Sequence, residues 1–191
     1  MLLRSVQIGQ ARRALIGGRV VMTAIRKTAV EGPVAVKPLG LDGDEQVDLS
    51  VHGGLEKAVY AYPSEHYAFW QARRAEAGLA EIDADLPFGS MGENLSLSGL
   101  LETEVWVGDV LEFENCTLRV EQPREPCFKF NAAMGFNTAV KSMAQSGFCG
   151  FYLSVQRPGV LQAGETFALY QGPRRISVVE RFNAKMFKHM R

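Results

Sequence analysis

The sequence predicts a mainly β protein, an antiparallel or mixed β-barrel with one or two helices packed outside it. Three observations carry that expectation. Short runs that alternate apolar and polar residues dominate the chain. Glycine, proline, asparagine and aspartate punctuate them at short intervals, as hairpin-connected sheets require. Strands do not alternate with helices and no G-x-G-x-x-G occurs, so a dinucleotide-binding α/β domain fits poorly.

In chain order, residues 3–8 and 19–25 alternate and are separated by Gly9, Gly17 and Gly18, which reads as two strands. Glu31-Gly32-Pro33 is a turn, and residues 34–36 form a short strand. A half-buried strand is expected at 47–51, ending at His52-Gly53-Gly54, and a buried one at 58–62. The clearest helix follows. Pro63 suits its first turn, Glu65 the positive end of its dipole, and Gly78 its stop. His66, Phe69, Trp70 and Arg73 share one side of it, a stripe that reads as packing against a sheet, with His66 a core or rim residue. Residues 80–90 form an irregular connection. Residues 108–113 and 164–169 share a pattern, Gly then an acid then spaced apolar residues, and read as turns feeding core strands. Residues 117–121 form a strand. Residues 132–146 form a helix weakened by Gly135 and Asn137. A last strand spans 151–155, with Cys149 in the core just before it.

At 191 residues and 21.0 kDa the chain suits one domain with a short appendage. Basic and acidic residues balance at 21 each, which argues against a general nucleic-acid binder. The balance is uneven: residues 174–191 hold six Lys/Arg against one Glu, so the tail is +5 and the rest −5. Cys116, Cys127 and Cys149 are too scattered for a disulfide scaffold, and none forms a C-x-x-C pair. No secretory leader is evident, and no run approaches the roughly 18–20 apolar residues of a membrane helix. A reducing cytoplasm and no membrane are the expectation.

Pro123 and Pro126 stiffen the chain after the strand at 117–121, and Cys127 stands at the tip of that loop between Arg124 and Lys129. Cations favour a thiolate, the useful form of cysteine as nucleophile or metal ligand. A buried structural cysteine beside a proline turn explains the same residues, and both readings stay open. Gly53 and Gly54 could form an anion-binding nest, with His52 and Lys57 adding donors, or a plain glycine hairpin. Asn94 offers donor and acceptor together, suited to a heterocycle's edge, and Glu93 could hold a cation such as Arg124; a polar turn explains both equally. The acids of Gly40-Leu41-Asp42-Gly43-Asp44 fall short of a calcium loop's ligand set.

The ordered set G-L-D-G-D (40–44), H-G-G-L-E-K-A-V (52–59), G-E-N-L (92–95), G-D (108–109) and Q-P-R-E-P-C-F-K (122–129) resembles the MOSC domain, named for the C-terminal part of molybdenum cofactor sulfurase. Y-P-S-E-H-Y (62–67) and F-K-F-N (128–131) place it nearest the stand-alone bacterial YiiM-like branch. The resemblance covers residues 1–175 and implies a MOSC-type β-barrel, leaving 176–191 as a C-terminal amphipathic tail where the branch carries a three-helix domain. It implies a molybdopterin-type cofactor whose molybdenum is bound by Cys127, the catalytic ligand. His52, Gly53, Gly54, Lys57, Arg124 and Lys129 would hold the pterin, and Asn94 would orient cofactor or substrate. The implied activity is reduction of N-hydroxylated compounds of the hydroxylaminopurine or amidoxime type. Three scattered cysteines cannot build the fused iron–sulfur domain of other MOSC reductases, so electrons would come from a separate flavoprotein-type reductase. Pyridoxal phosphate is discounted, since no Schiff-base lysine matches. Two alternatives stand beside this: sulfur carriage as a Cys127 persulfide, and cofactor binding without catalysis. The tail places Val179, Phe182, Met186 and Phe187 near one helical face, from which association as a homodimer is expected.

Overall fold

The computed structural model describes residues 1–47, 53–79 and 86–187. Its strands are β1 (Leu2–Ile8), β2 (Arg12–Ile16), β3 (Arg19–Thr23), β4 (Thr28–Ala29), β5 (Val34–Lys37), β6 (Gly40–Leu41), β7 (Val59–Pro63), β8 (Leu95–Ser98), β9 (Val110–Glu112), β10 (Thr117–Pro123), β11 (Phe151–Arg157), β12 (Gly159–Leu161) and β13 (Ala168–Tyr170). The helices are α1 (Tyr67–Glu76), α2 (Phe128–Met134), α3 (Ala139–Ser146) and α4 (Val178–Met186).

Eight strands share one sheet in the order β13-β9-β10-β11-β7-β8-β1-β4, antiparallel throughout except for the parallel pair β7 and β8. The sheet curls until β1 meets the segment leading into β13: the Leu3 N–H donates to Glu165 O at 2.9 Å, and the Gly164 N–H to Leu3 O at 2.8 Å. Among the described residues a single bridge, Leu2 to Thr166, joins β1 to that segment. The expected closed barrel is therefore a strongly curled, open sheet. The two similar Gly-acid stretches turn out to be neighbours, since β9 and β13 pair in register Glu112–Ala168.

The inward face carries Leu3, Val6, Leu95, Leu97, Leu111, Leu118, Val120 and Leu153, all fully buried. Each buried side chain of this size contributes about 1.5–3 kcal/mol. Trp70 of α1 is buried outside the sheet, edge-on to Phe130 of α2 at 5.3 Å, and its Nε1–H donates to Tyr62 Oη at 2.5 Å. His66 is buried as expected of a packing residue: its Nε2 lies 2.7 Å from Glu102 Oε2 and its ring stacks on Phe148 at 3.8 Å.

Several elements differ from expectation. The helix expected at 132–146 is two helices, because Gly135 takes a left-handed conformation (φ 81°) that caps α2. A strand at 12–16, whose alternation Arg12 and Arg13 hide in the sequence, pairs with β3 as a hairpin. Its two-residue turn, Gly17-Gly18, has φ of 58° and 76°, the positive values a tight hairpin demands. The strand expected at 47–51 and the connection expected at 80–90 lie largely outside the described residues.

The tail is not a free amphipathic element. Ser177 and Glu180 cap α4 reciprocally, and Val178 and Phe182 are fully buried. Arg181 Nη1 donates to Glu121 O at 3.1 Å, and Lys185 pairs with Glu125 beyond the end of β10. Phe182 of the expected stripe therefore packs on the chain's own sheet, while Val179 and Met186 are only half-buried. Phe187, expected on that stripe, is exposed.

Candidate functional site

Five segments converge on one cleft. Tyr60 of β7 and Tyr152 of β11 are register partners, with rings 5.3 Å apart. β10 ends at Pro123, and the chain then runs extended through Arg124 to Cys127, whose carbonyl accepts the Phe130 N–H at 2.8 Å and opens α2. From the other side come residues 23–25, after β3, and residues 44–47, after β6. The cleft holds about 110 Å³ of water-accessible space. A water needs about 10–15 Å³ on this measure, so the cleft admits a group of several heavy atoms rather than a lone ion.

Arg124, Cys127, Lys129, Lys57 and Asn94 all line it. Arg124 sets its character. The guanidinium is buried, lies 5.3 Å from the Tyr60 ring centre and 4.7 Å from that of Phe130, and points Nη1 at Met143 Sδ at 3.4 Å. Among the described residues no carboxylate forms an ion pair with it. Burial disfavours its charge, but Tyr60, Tyr152 and Cys127 around it more than offset that and hold the guanidinium in its charged form. Lys57 lies 5.8 Å from the Tyr152 ring centre, and Lys129 Nζ donates to Met22 O at 3.2 Å. The lining carries four basic residues, Lys27, Lys57, Arg124 and Lys129, against Asp44 and Glu45, a field suited to an anionic ligand.

Cys127 is half-buried, and no cysteine of the chain is in a disulfide. The other two are poor nucleophiles: burial pushes the Cys116 thiol up to about 12 and that of Cys149 well above its ordinary value.

Two sequence expectations are corrected by hydrogen bonding. The Asn94 side chain is saturated from within: Oδ1 accepts the Tyr60 N–H at 3.1 Å, and Nδ2 donates to Gln7 O at 3.2 Å and to Asp44 Oδ2 at 2.9 Å. It ties β1, β7 and Asp44 together under the cleft, leaving no free edge for a heterocycle. Glu93 does not hold Arg124. Fully buried, it accepts from Tyr67 Oη, the Gly89 N–H at 2.8 Å, Ser96 Oγ at 2.9 Å and the Met91 N–H at 3.1 Å. Burial pushes its carboxyl above the usual range against the pull of those donors.

The glycine pair also differs from the expected nest. The Gly54 N–H donates to Gln46 Oε1 at 3.0 Å, so it is occupied, and Gly54 leads into a 3₁₀ turn at Leu55–Lys57. Neither Gly53 nor Gly54 lines the cleft. His52 lies outside the described residues.

Lys27, Asp44, Tyr60 and Tyr152 were not read as site residues. Lys27 and Asp44 form a buried ion pair in the cleft wall, and Asp44 Oδ1 also accepts the Gly9 N–H at 2.7 Å. Burial lowers the Lys27 ammonium below its ordinary range, opposed by Asp44. Asp44 carried a signal in G-L-D-G-D, where it was weighed only as a calcium ligand. Tyr60 and Tyr152 could be found only through strand register.

The family model for the MOSC domain matches residues 48–168, more than half of the chain. The chain belongs to the MOSC domain family. It is 36% identical to Protein YiiM of Escherichia coli strain K12 over 158 residues, 83% of this chain and 68% of that protein. It is 34% identical to Uncharacterized protein YflK of Bacillus subtilis strain 168 over 175 residues, 91% of this chain and 76% of the other. The crystal structure of YiiM from Geobacillus stearothermophilus superposes with a TM-score of 0.77 at 30% identity, covering 98% of this chain and 84% of that one. A protein named Reductase from Gibberella moniliformis is 32% identical over 173 residues, but the match spans only 29% of its length. The MOSC domain family is associated with molybdenum cofactor binding. Among the described residues no helix is long and apolar enough to cross a membrane.

Proposed function

We propose that this MOSC protein is a molybdenum-cofactor-dependent reductase of N-hydroxylated compounds, with Cys127 as the metal's protein ligand. The observation that carries the reading is the pairing of Cys127 with Arg124 on one cleft, where the buried guanidinium has no carboxylate partner among the described residues. A soft thiolate suits a thiophilic metal, and a guanidinium held charged in a cleft wall suits a phosphate. Among the described residues no cluster of three or more His, Cys, Asp or Glu side chains could hold a metal, so a metal bound beside Cys127 would bring most of its ligands with it. That is the donor set a pterin cofactor needs from its protein.

In this reading Arg124, Lys57 and Lys129 hold the anionic end of the cofactor, and Tyr60 and Tyr152 pack beside it. When bound, the cofactor supplies two-electron redox chemistry. The protein's share is to fix the thiolate, exclude bulk water along the tyrosine wall and keep the Lys27–Asp44 pair at the cleft wall as a local proton reservoir. Breaking the N–O bond takes two electrons and two protons and releases water.

The test is anaerobic turnover of benzamidoxime and of 6-hydroxylaminopurine with reduced methyl viologen as donor. Wild type should form the amidine and the amine, and Cys127→Ala should form neither. Equal rates in both would remove the assignment. A reducible sulfane sulfur mass on Cys127 without turnover would favour the persulfide carrier, and bound molybdenum without turnover a binding module.

A further inference from the structure

The β2–β3 hairpin stands apart from the rest of the chain. Among the described residues its strands pair with each other alone, and residues 12–23 contain Arg12, Arg13 and Arg19 and no acid. The register pairs Leu15 with Val20 and Arg13 with Met22, which puts these four on one face. That face is open: Leu15 is 74% exposed, Val20 68% and Met22 43%. Arg13 stands on this face, while Arg12 at the hairpin's base and Arg19 at its tip lie on the other, so an apolar patch sits on an arm whose three charges are all positive, the composition of a protein-binding surface. The hairpin also belongs to the cleft's rim. Thr23 lines the cleft, and Lys129, another lining residue, donates to Met22 O.

A second copy of this chain is a poor occupant. A two-fold contact through this face would bring together two arms of three arginines each, with no acid in either to offset the like charge. The complementary partner is a protein with an apolar patch ringed by carboxylates. If the chain is a reductase, as proposed above, it must receive two electrons per N–O bond broken, and its separate cysteines build no redox cluster of their own. We infer that the β2–β3 hairpin is the docking arm for an acidic electron-donor protein, which delivers its electrons at the rim of the Cys127 cleft. This rests on the reductase reading, and the experiment separates the two.

Two variants leave the cleft residues untouched: Arg12→Glu/Arg13→Glu/Arg19→Glu, and Leu15→Ser/Val20→Ser. Each would be compared with wild type using flavodoxin, a small acidic flavin protein kept reduced by its NADPH-dependent reductase, and separately using reduced methyl viologen. Viologen-driven turnover should match wild type, showing the cleft intact. The flavodoxin-driven kcat/KM should fall about tenfold or more in both variants, and its salt dependence should vanish in the charge-reversed one. Equal flavodoxin-driven rates in all three proteins, or a parallel fall with viologen, would overturn the docking arm. If wild type turns over with neither donor, the reductase reading fails, and direct binding of flavodoxin decides the surface. Saturable, salt-sensitive binding lost in both variants supports it. Binding that ignores the hairpin, absent binding, or self-association abolished by Leu15→Ser/Val20→Ser overturns it.

Discussion

Replacing Arg124 with methionine should separate stability from ligand binding. The guanidinium is buried and faces Tyr60, Phe130 and Met143, with no ion pair to an acid among the described residues. Desolvating a charge costs several kcal/mol even after relaxation. Against this stand two cation–π contacts, each about 2 kcal/mol or more when desolvated. Methionine has a similar length, removes the charge and adds about 1.5–3 kcal/mol of apolar burial. The terms nearly cancel, so Arg124→Met should unfold in urea at a stability between that of wild type and about 2 kcal/mol above it. Inorganic phosphate should tell the proteins apart. At a hundred times its dissociation constant it would stabilise wild type by about 2.7 kcal/mol and the variant not at all. The reasoning fails if Arg124→Met loses about 3 kcal/mol or more, as an ordinary core disruption does, or if phosphate stabilises both alike.

Phe182→Ala should cost about 3–5 kcal/mol in equilibrium unfolding, because α4 buries that ring on the chain's own sheet; a cost near zero would detach the helix from the domain. Iodoacetamide under native conditions should label Cys127 well ahead of Cys116 and Cys149, as peptide mass mapping would show, since burial raises both of the latter thiols. Glu93 has a folded pKa above its ordinary value of 4.5, so the folded state holds its proton longer than the unfolded chain. Its contribution is complete below 4.5 and is lost as pH rises toward the folded value, so unfolding free energy should fall through that window. Glu93→Gln should flatten that slope, whatever it does to stability itself.

Much of the sheet was legible because apolar alternation with a period of two is a local signal. The strands through 3–8, 34–36, 58–62, 117–121 and 151–155 all stand within a residue or two of those expectations. Closure was not legible, since whether residues 164–167 form a full ladder or one bridge with β1 depends on the curl of the whole sheet. Cys127, Arg124, Lys129 and Lys57 could be singled out because charge around a stiff thiol loop is visible in sequence. Their meeting in one cleft could not, because Lys57 reaches it through the register of β7 against β11. Asn94 misled for a physical reason. An amide able to read a ligand's edge is equally able to satisfy a buried backbone, and only the Tyr60 N–H and Gln7 O contacts decide between them. The arginines of β2 concealed both a strand and the surface it presents.

The most direct test is metal and pterin content in wild type, Cys127→Ala and Arg124→Met, each purified from a host that makes the cofactor. Molybdenum by mass spectrometry and oxidised-pterin fluorescence should be near-stoichiometric and matched in wild type. Molybdenum should be lost from Cys127→Ala, and both signals from Arg124→Met. Equal molybdenum in all three proteins would contradict the claim that Cys127 and Arg124 serve one ligand in one cleft.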